Sequence, residues 1–319
     1  IKIERGSIMI AFFANIFGYI LNIIYNFVQN YGLAIILFSI LIKLVMLPIS
    51  IKQQKTLKKS TKIQKKMKEI QFKYKNDPEK LNQATLELYK SENMSPFSGC
   101  LSAIVQIILL FAVFYLVRSP LTYMKKVDVS VIDKYTKIIQ QNDLSTNSAY
   151  PEIEIIRELD NIKNLKNQPT EENTDNSEET SEEQQEETDK IDLSEIKDDE
   201  VDSLRINMEF LGLNLAQVPT RSSDWKAYII PVLYVLVAVI SLKITGPKTD
   251  NTKKDGEEGE KEIDPMAQMN KNMTLMFPIM YLAVALIAPL GLALYWLMNS
   301  LLMIIEKLVL NKVLKDEEE

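Results

Sequence analysis

Histidine is absent from all 319 residues. That removes imidazole metal ligands, histidine general bases and Ser-His or Cys-His dyads, and no HExxH or GxSxG string occurs. Cysteine occurs once, as Cys100 at the start of an apolar run. It cannot form an internal disulfide, and a buried inert thiol fits its surroundings better than a nucleophile. A small-residue signal-cleavage site is missing as well, and no internal repeat is visible. The chain is therefore not expected to be an enzyme, and no metal or cofactor is expected.

What is present is arranged in blocks. A composition of 46% hydrophobic and 25% charged residues, with mean hydropathy −0.05, would suit a soluble protein. The apolar residues, however, are gathered into long charge-free runs and the charges into separate stretches, so hydropathy has to be read segment by segment.

The chain opens at Ile1, its first methionine is Met9, and Glu4-Arg5-Gly6 can be encoded by a purine-rich, ribosome-binding-like stretch. Residues 1–8 are expected to be translated leader. In residues 10–29, Asn15, Asn22 and Asn26 recur at helical spacing opposite Phe13, Ile16, Phe17, Ile20, Ile24 and Phe27. This predicts an amphipathic helix in the membrane interface, with a spanning helix as the competing reading. Residues 31–51 are apolar apart from Ser39, Lys43 and Ser50, long enough for the roughly 30 Å hydrocarbon layer. Pro48 should bend or end that first span.

Ten lysines against the single acid Glu69 fill residues 52–75. Such density beside a span places the segment in the cytoplasm. Ile63, Met67, Ile70 and Tyr74 form one stripe and Leu81, Ala84 and Leu88 another, with Asp77 suited to cap and Pro78 to open a second helix. Residues 52–95 are thus expected to form a cytoplasmic helical hairpin, followed by a second span at 98–118. Residues 119–224 carry 25 acidic and 11 basic side chains. Their stretch from Gln168 to Asp202 is too polar to bury a core, while 129–139 and 153–165 have helical spacing and 206–215 alternates like a strand.

A third span is expected at 227–244, then a charged loop at 245–271. Residues 272–305 are uncharged, and as one helix would be about 51 Å long, too much for one crossing. Pro289 and Gly291 divide them into spans at 272–288 and 291–310, ahead of a tail at 311–319. No Asp or Glu lies within these apolar runs, the last of which ends at Ile305. The predicted fold is all-α: five membrane helices, an interfacial N-terminal helix, a cytoplasmic hairpin and a long, partly disordered acidic extracellular insertion. Five spans with the N-terminus outside leave the C-terminus and both lysine-bearing loops in the cytoplasm.

The run LVMLPISIKQQK at 44–55, the string PFSGCL at 96–101 followed by Gln106, and PLGLALYWLMNSL at 289–301 resemble the first, second and last core spans of YidC/Oxa insertases. FLGLNL at 210–215 resembles the segment before the third span in Gram-positive members, and the resemblance covers residues 12–118 and 205–312. It implies a five-helix core around a hydrophilic groove that takes nascent membrane proteins and releases their hydrophobic segments sideways into the bilayer of the bacterial plasma membrane. The family's groove positions fall on Ser39, Lys43, Gln106 and Trp296. Its usual arginine is here Lys43, a point charge in place of a bidentate fork. The resemblance also implies hairpin contacts through Lys58, Lys59, Lys62, Lys65 and Lys66, with ribosome, signal-recognition machinery, the Sec translocon or anionic lipids as partners. Direct DNA binding is not expected.

From the residues alone, Lys43 lies about 19 Å from the outer end of its helix. A charge there costs roughly 2.5–3.5 kcal/mol on the insertion scale, although a lysine can also snorkel to the inner headgroups. Ser39 shares its face but can bond its own backbone. Gln106 can glue helices, and Trp296, which shares a face with Asn299, can be an interfacial anchor. A transporter would need a membrane acid to partner Lys43 and inverted repeats. An adaptor working through the acidic insertion is the remaining alternative.

Overall fold

The computed structural model describes residues 5–92, 98–144, 149–167, 196–245 and 282–316. Most of the expected fourth span, the loop before it and the most acidic part of the insertion therefore lie outside the described residues.

Within them the chain is all-α apart from one two-stranded hairpin. Helix α1 (Arg5–Val28) is followed after two residues by α2 (Tyr31–Lys73), and α3 (Pro78–Ser91) folds back on the end of α2. Next come α4 (Ser98–Arg118), a π-turn at Leu121–Lys125, α5 (Val129–Gln141), α6 (Pro151–Lys166) and α7 (Asp198–Leu204). Strands β1 (Glu209–Phe210) and β2 (Leu213–Asn214) precede α8 (Ile229–Thr245), a helical turn at 282–287 and α9 (Leu290–Asp316). Three helical stretches are long and apolar enough to cross a membrane: Ile8–Val28, Tyr31–Thr56 and Leu290–Val313. This is a multi-pass membrane protein of the all-α class.

Three features add to the sequence reading. Pro48 neither ends nor divides α2, which runs unbroken for 43 residues, about 64 Å, so first span and first hairpin helix are one rod. A proline removes one backbone donor, and the flanking turns carry the helix past it. The last helix continues past residue 310 to Asp316. The flanks of the acidic insertion, with their helical spacing at 129–139 and 153–165, are helices that pack together. Ile132, Tyr135, Ile138, Ile153, Leu159, Ile162, Val201 and Leu204 are buried together and join α5, α6 and α7 in a packed cap.

The cap bonds to the start of the membrane helices. Tyr25 accepts from the Asn207 N–H at 2.9 Å, Asn207 accepts from the Tyr31 N–H at 3.0 Å, and Asn30 donates to the Glu209 carbonyl at 2.6 Å while capping α2 through Leu33. The β-hairpin turns at Leu211 and Gly212, φ +52° and +74°, as a tight two-residue turn requires. Its neighbour Leu215 accepts from the Gly291 N–H and Gln217 from the Leu290 N–H, both at 2.9 Å. Those are first-turn donors of α9 that have no partner inside the helix. One short segment thus fixes the starts of α2 and α9 side by side, and both helices leave it in the same direction. Gly291 sits against Tyr31 and Ile35 at one end, and Gln54 donates to Asn311 at 3.2 Å near the other.

Candidate functional site

Parallel alignment of α2 and α9 brings two distant charges together. Lys43 Nζ lies 2.7 Å from Glu306 Oε2, with side-chain exposures of 23% and 11%. The two positions stand about 19 Å and about 25 Å along their helices from the shared starting level, within the reach of a roughly 30 Å apolar layer. Around them α2 presents Leu37, Ile40, Leu41, Leu44 and Val45, all exposed as surface meant for lipid would be.

The span drawn at 291–310 already contains Glu306, so a membrane acid is present to partner Lys43. Glu306 follows an apolar run ending at Ile305, and a charge there reads as the end of a helix. The missed signal was periodicity: Trp296, Asn299, Met303 and Glu306 recur at i, i+3, i+7 and i+10, one face of a continuing helix. With it goes the argument against a transporter drawn from the lack of a partner acid.

The other groove positions fall as follows. Ser39, one turn before Lys43, is 5% exposed, and its hydroxyl donates to the Ile35 carbonyl at 2.7 Å. Trp296 is buried and packs on Tyr234 of α8, ring centroids 6.2 Å apart, so it belongs to the seam between α8 and α9. Gln106 lies on α4, and its side chain is outside the described residues. The structure thus brings Lys43 to Glu306, sets Ser39 behind it and gives Trp296 to the neighbouring seam.

On the lysine-rich hairpin, Lys66 pairs with Glu92 at 2.5 Å and Thr85 meets the Met67 sulfur, which close α3 onto α2 around Ile63 and Leu88. Asp77 accepts from the Lys80 N–H at 3.1 Å and caps α3. The side chains of Lys58, Lys59, Lys62 and Lys65 lie outside the described residues.

A cavity of about 670 Å³ lies on the cap side, walled by Tyr25, Lys125, Arg157, Asp160, Arg205 and Glu209 among others. Its charges are largely matched internally: Arg205 bridges to Asp160 at 2.7 Å, and Arg157 engages Glu154 and Glu158. The Arg205 guanidinium, helped by the nearby Lys163, holds the Asp160 carboxyl below its usual value. No group of three or more metal-ligating side chains occurs among the described residues.

The description of the 60Kd inner membrane protein family matches residues 23–318. The chain is similar to a protein named membrane protein insertase YidC from Chlorobaculum parvum, 48% identical over 100 residues, which are 31% of this chain and 17% of that protein. It is similar to proteins of the same name from Fusobacterium nucleatum subsp. nucleatum, 41% identical over 102 residues, and from Caldanaerobacter subterraneus subsp. tengcongensis, 39% identical over 102 residues. In each of these two the match covers 32% of this chain and 50% of the relative, so the matched stretches span half or less of the curated proteins. The match across nearly the whole sequence makes this chain a member of the 60Kd inner membrane protein family.

Proposed function

We propose that the chain is a membrane protein insertase that receives nascent membrane proteins in a hydrophilic groove between its helices and releases their hydrophobic segments laterally into the bilayer. The observation that carries this reading is the charged pair of Lys43 and Glu306, held between two parallel helices whose outer surfaces are apolar. A desolvated charge within a membrane helix is costly and marks a polar path through the layer. Lys43 supplies the attraction for a client's polar segment, with Ser39 packed behind it and Trp296 in the adjoining seam of α8 and α9, in a core of five membrane helices.

The N-terminal helix lies in the outer interface, its amide stripe tied to the cap where Lys126 donates to Asn15 at 2.6 Å. The C-terminus and the lysine-rich hairpin face the bacterial cytoplasm, by the excess of lysine beside α2. There Lys58, Lys59, Lys62, Lys65 and Lys66 meet anionic lipid headgroups, worth about 1 kcal/mol per charge near the surface. The same lysines meet the ribosome, the signal-recognition machinery or the Sec translocon.

Reconstitution tests the reading. Purified protein in liposomes, presented with a small single- or double-spanning client, should raise the protease-protected fraction above that of empty liposomes. Equal protection in both would contradict it. The transporter reading gains a partner acid from Glu306, and solute uptake by the same vesicles, without client insertion, would favour it.

A further inference from the structure

We propose that Glu306 determines client specificity as the groove's built-in counter-ion, holding Lys43 neutralised at rest and yielding it to a client segment that brings its own carboxylate. This rests on the reading of α2 and α9 as groove walls.

The geometry carries it in three steps. First, the pair is intimate and poorly hydrated: Lys43 Nζ and Glu306 Oε2 are 2.7 Å apart, and Glu306 is the more buried partner. An isolated ammonium at this depth would be strongly disfavoured, so Glu306 offsets that cost when the groove is empty. Second, the carboxylate is held on one side only. Glu306 Oε1 is buried and has no hydrogen-bond partner among the described residues. A carboxylate secured by two or three donors would be fixed in place, whereas this one is retained mainly by Lys43. Third, the ammonium carries three donors, and Glu306 Oε2 takes one of them. An incoming carboxylate can therefore bind before the resident one has left, so Lys43 stays paired at every stage, while the displaced Glu306 takes its hydration from the groove.

The consequence is selectivity with release. A neutral client segment cannot replace Glu306, because removing the resident anion leaves Lys43 uncompensated. A client carboxylate exchanges like for like, and once it has moved on, Glu306 closes on Lys43 again. Without Glu306, Lys43 would attract acidic segments more strongly and hold them longer.

The test uses the full-length protein in liposomes and one client in two versions, with Asp or Asn in its translocated segment beside a photo-crosslinking residue. The ratio of crosslink yields, Asp client to Asn client, is the readout, because a purely structural role for Glu306 would lower both yields together. The wild type should give a ratio above one. Glu306→Gln should raise it by about tenfold, the equivalent of about 1.4 kcal/mol, and Glu306→Asp should stay near the wild type. Lys43→Met/Glu306→Gln, which leaves no charge, should bring the ratio to one.

A ratio unchanged in Glu306→Gln, or a parallel fall in both yields, overturns the proposal while leaving Lys43 as the groove charge. A wild-type ratio of one would overturn the reading of Lys43 itself. If Glu306→Gln fails to accumulate, Lys43→Glu/Glu306→Lys decides, since it keeps a pair and a cation. A swapped pair that accumulates and still favours the Asp client supports exchange, and one with a ratio of one overturns it.

Discussion

Glu152 of α6 accepts two hydrogen bonds from Thr122, from its backbone N–H at 3.0 Å and its hydroxyl at 2.6 Å, and so fastens the cap to the π-turn that follows α4. Burial pushes the Glu152 carboxyl above its usual value, against the lowering effect of the Thr122 bonds. A raised folded value means that this group's contribution to stability is complete below the unfolded value and is lost as pH rises through the folded one. Mild acidification from neutral pH should therefore slow hydrogen exchange in α6, after correction for intrinsic rates, and Glu152→Gln should flatten that response. The opposite sign applies to Asp160 and Asp198, whose carboxyls Arg205 and Lys166 hold down, so their contribution is lost only as pH falls through those lowered values. An unchanged pH response in Glu152→Gln would contradict the assignment.

Removal of the acidic insertion should depend on where the cut is made. Deleting residues 127–202 takes away α5, α6 and most of α7, and with them the Glu152 acceptor that holds Thr122 of the π-turn. Deleting only 168–195 spares every described residue of the cap, and the ends lie close, since Lys166 meets Asp198 at 2.8 Å. The short deletion joined by a flexible linker should keep both accumulation in the membrane and client insertion. The long one should lower accumulation. Loss of insertion by the short deletion at normal accumulation would move function into the insertion, as the adaptor reading requires.

Thiol labelling separates residues that sequence places on one face. With Cys100 replaced, Lys43→Cys should react with a membrane-impermeant reagent applied from the cytoplasmic side. Ser39→Cys should react far more slowly, because Ser39 is 5% exposed and bonded to Ile35. Equal rates at both positions would mean that the groove opens past Ser39 to water.

The difference between those two positions shows what the sequence could and could not convey. Lys43 was legible because one charge inside a long apolar run has no innocent surroundings. Ser39 was placed on the right face, but helical phase does not say whether a hydroxyl turns to water or to its own backbone. Glu306 was hidden by its place at the end of an apolar run, where a charge reads as a boundary. Only the register of α9 against α2 reveals it as a partner, and that register is set by bonds from Leu215 and Gln217 to the first turn of α9. Such backbone bonds leave no trace in composition or periodicity. The helices of the cap were visible as spacing at 129–139 and 153–165, yet nothing in that spacing announced Glu152, Glu154 and Glu158 as buried. Their burial depends on partners on other elements or neighbouring turns, Thr122 and Arg157 among them.

The central claim is that the charge of Lys43 draws acidic client segments into the groove, where attraction exceeds its value in water several-fold. The most direct measurement is insertion, by protease protection, of an acidic and a neutralised version of one client with Lys43→Arg, Lys43→Met and Lys43→Glu. Lys43→Met leaves Glu306 uncompensated, so Lys43→Met/Glu306→Gln serves as its neutral control. Lys43→Arg should keep function, Lys43→Met and its control should lose the acidic client more than the neutral one, and Lys43→Glu should be worst because it faces Glu306 with a like charge. Equal losses for both clients across the series would mean that Lys43 holds the fold or hydrates the groove without reading client charge.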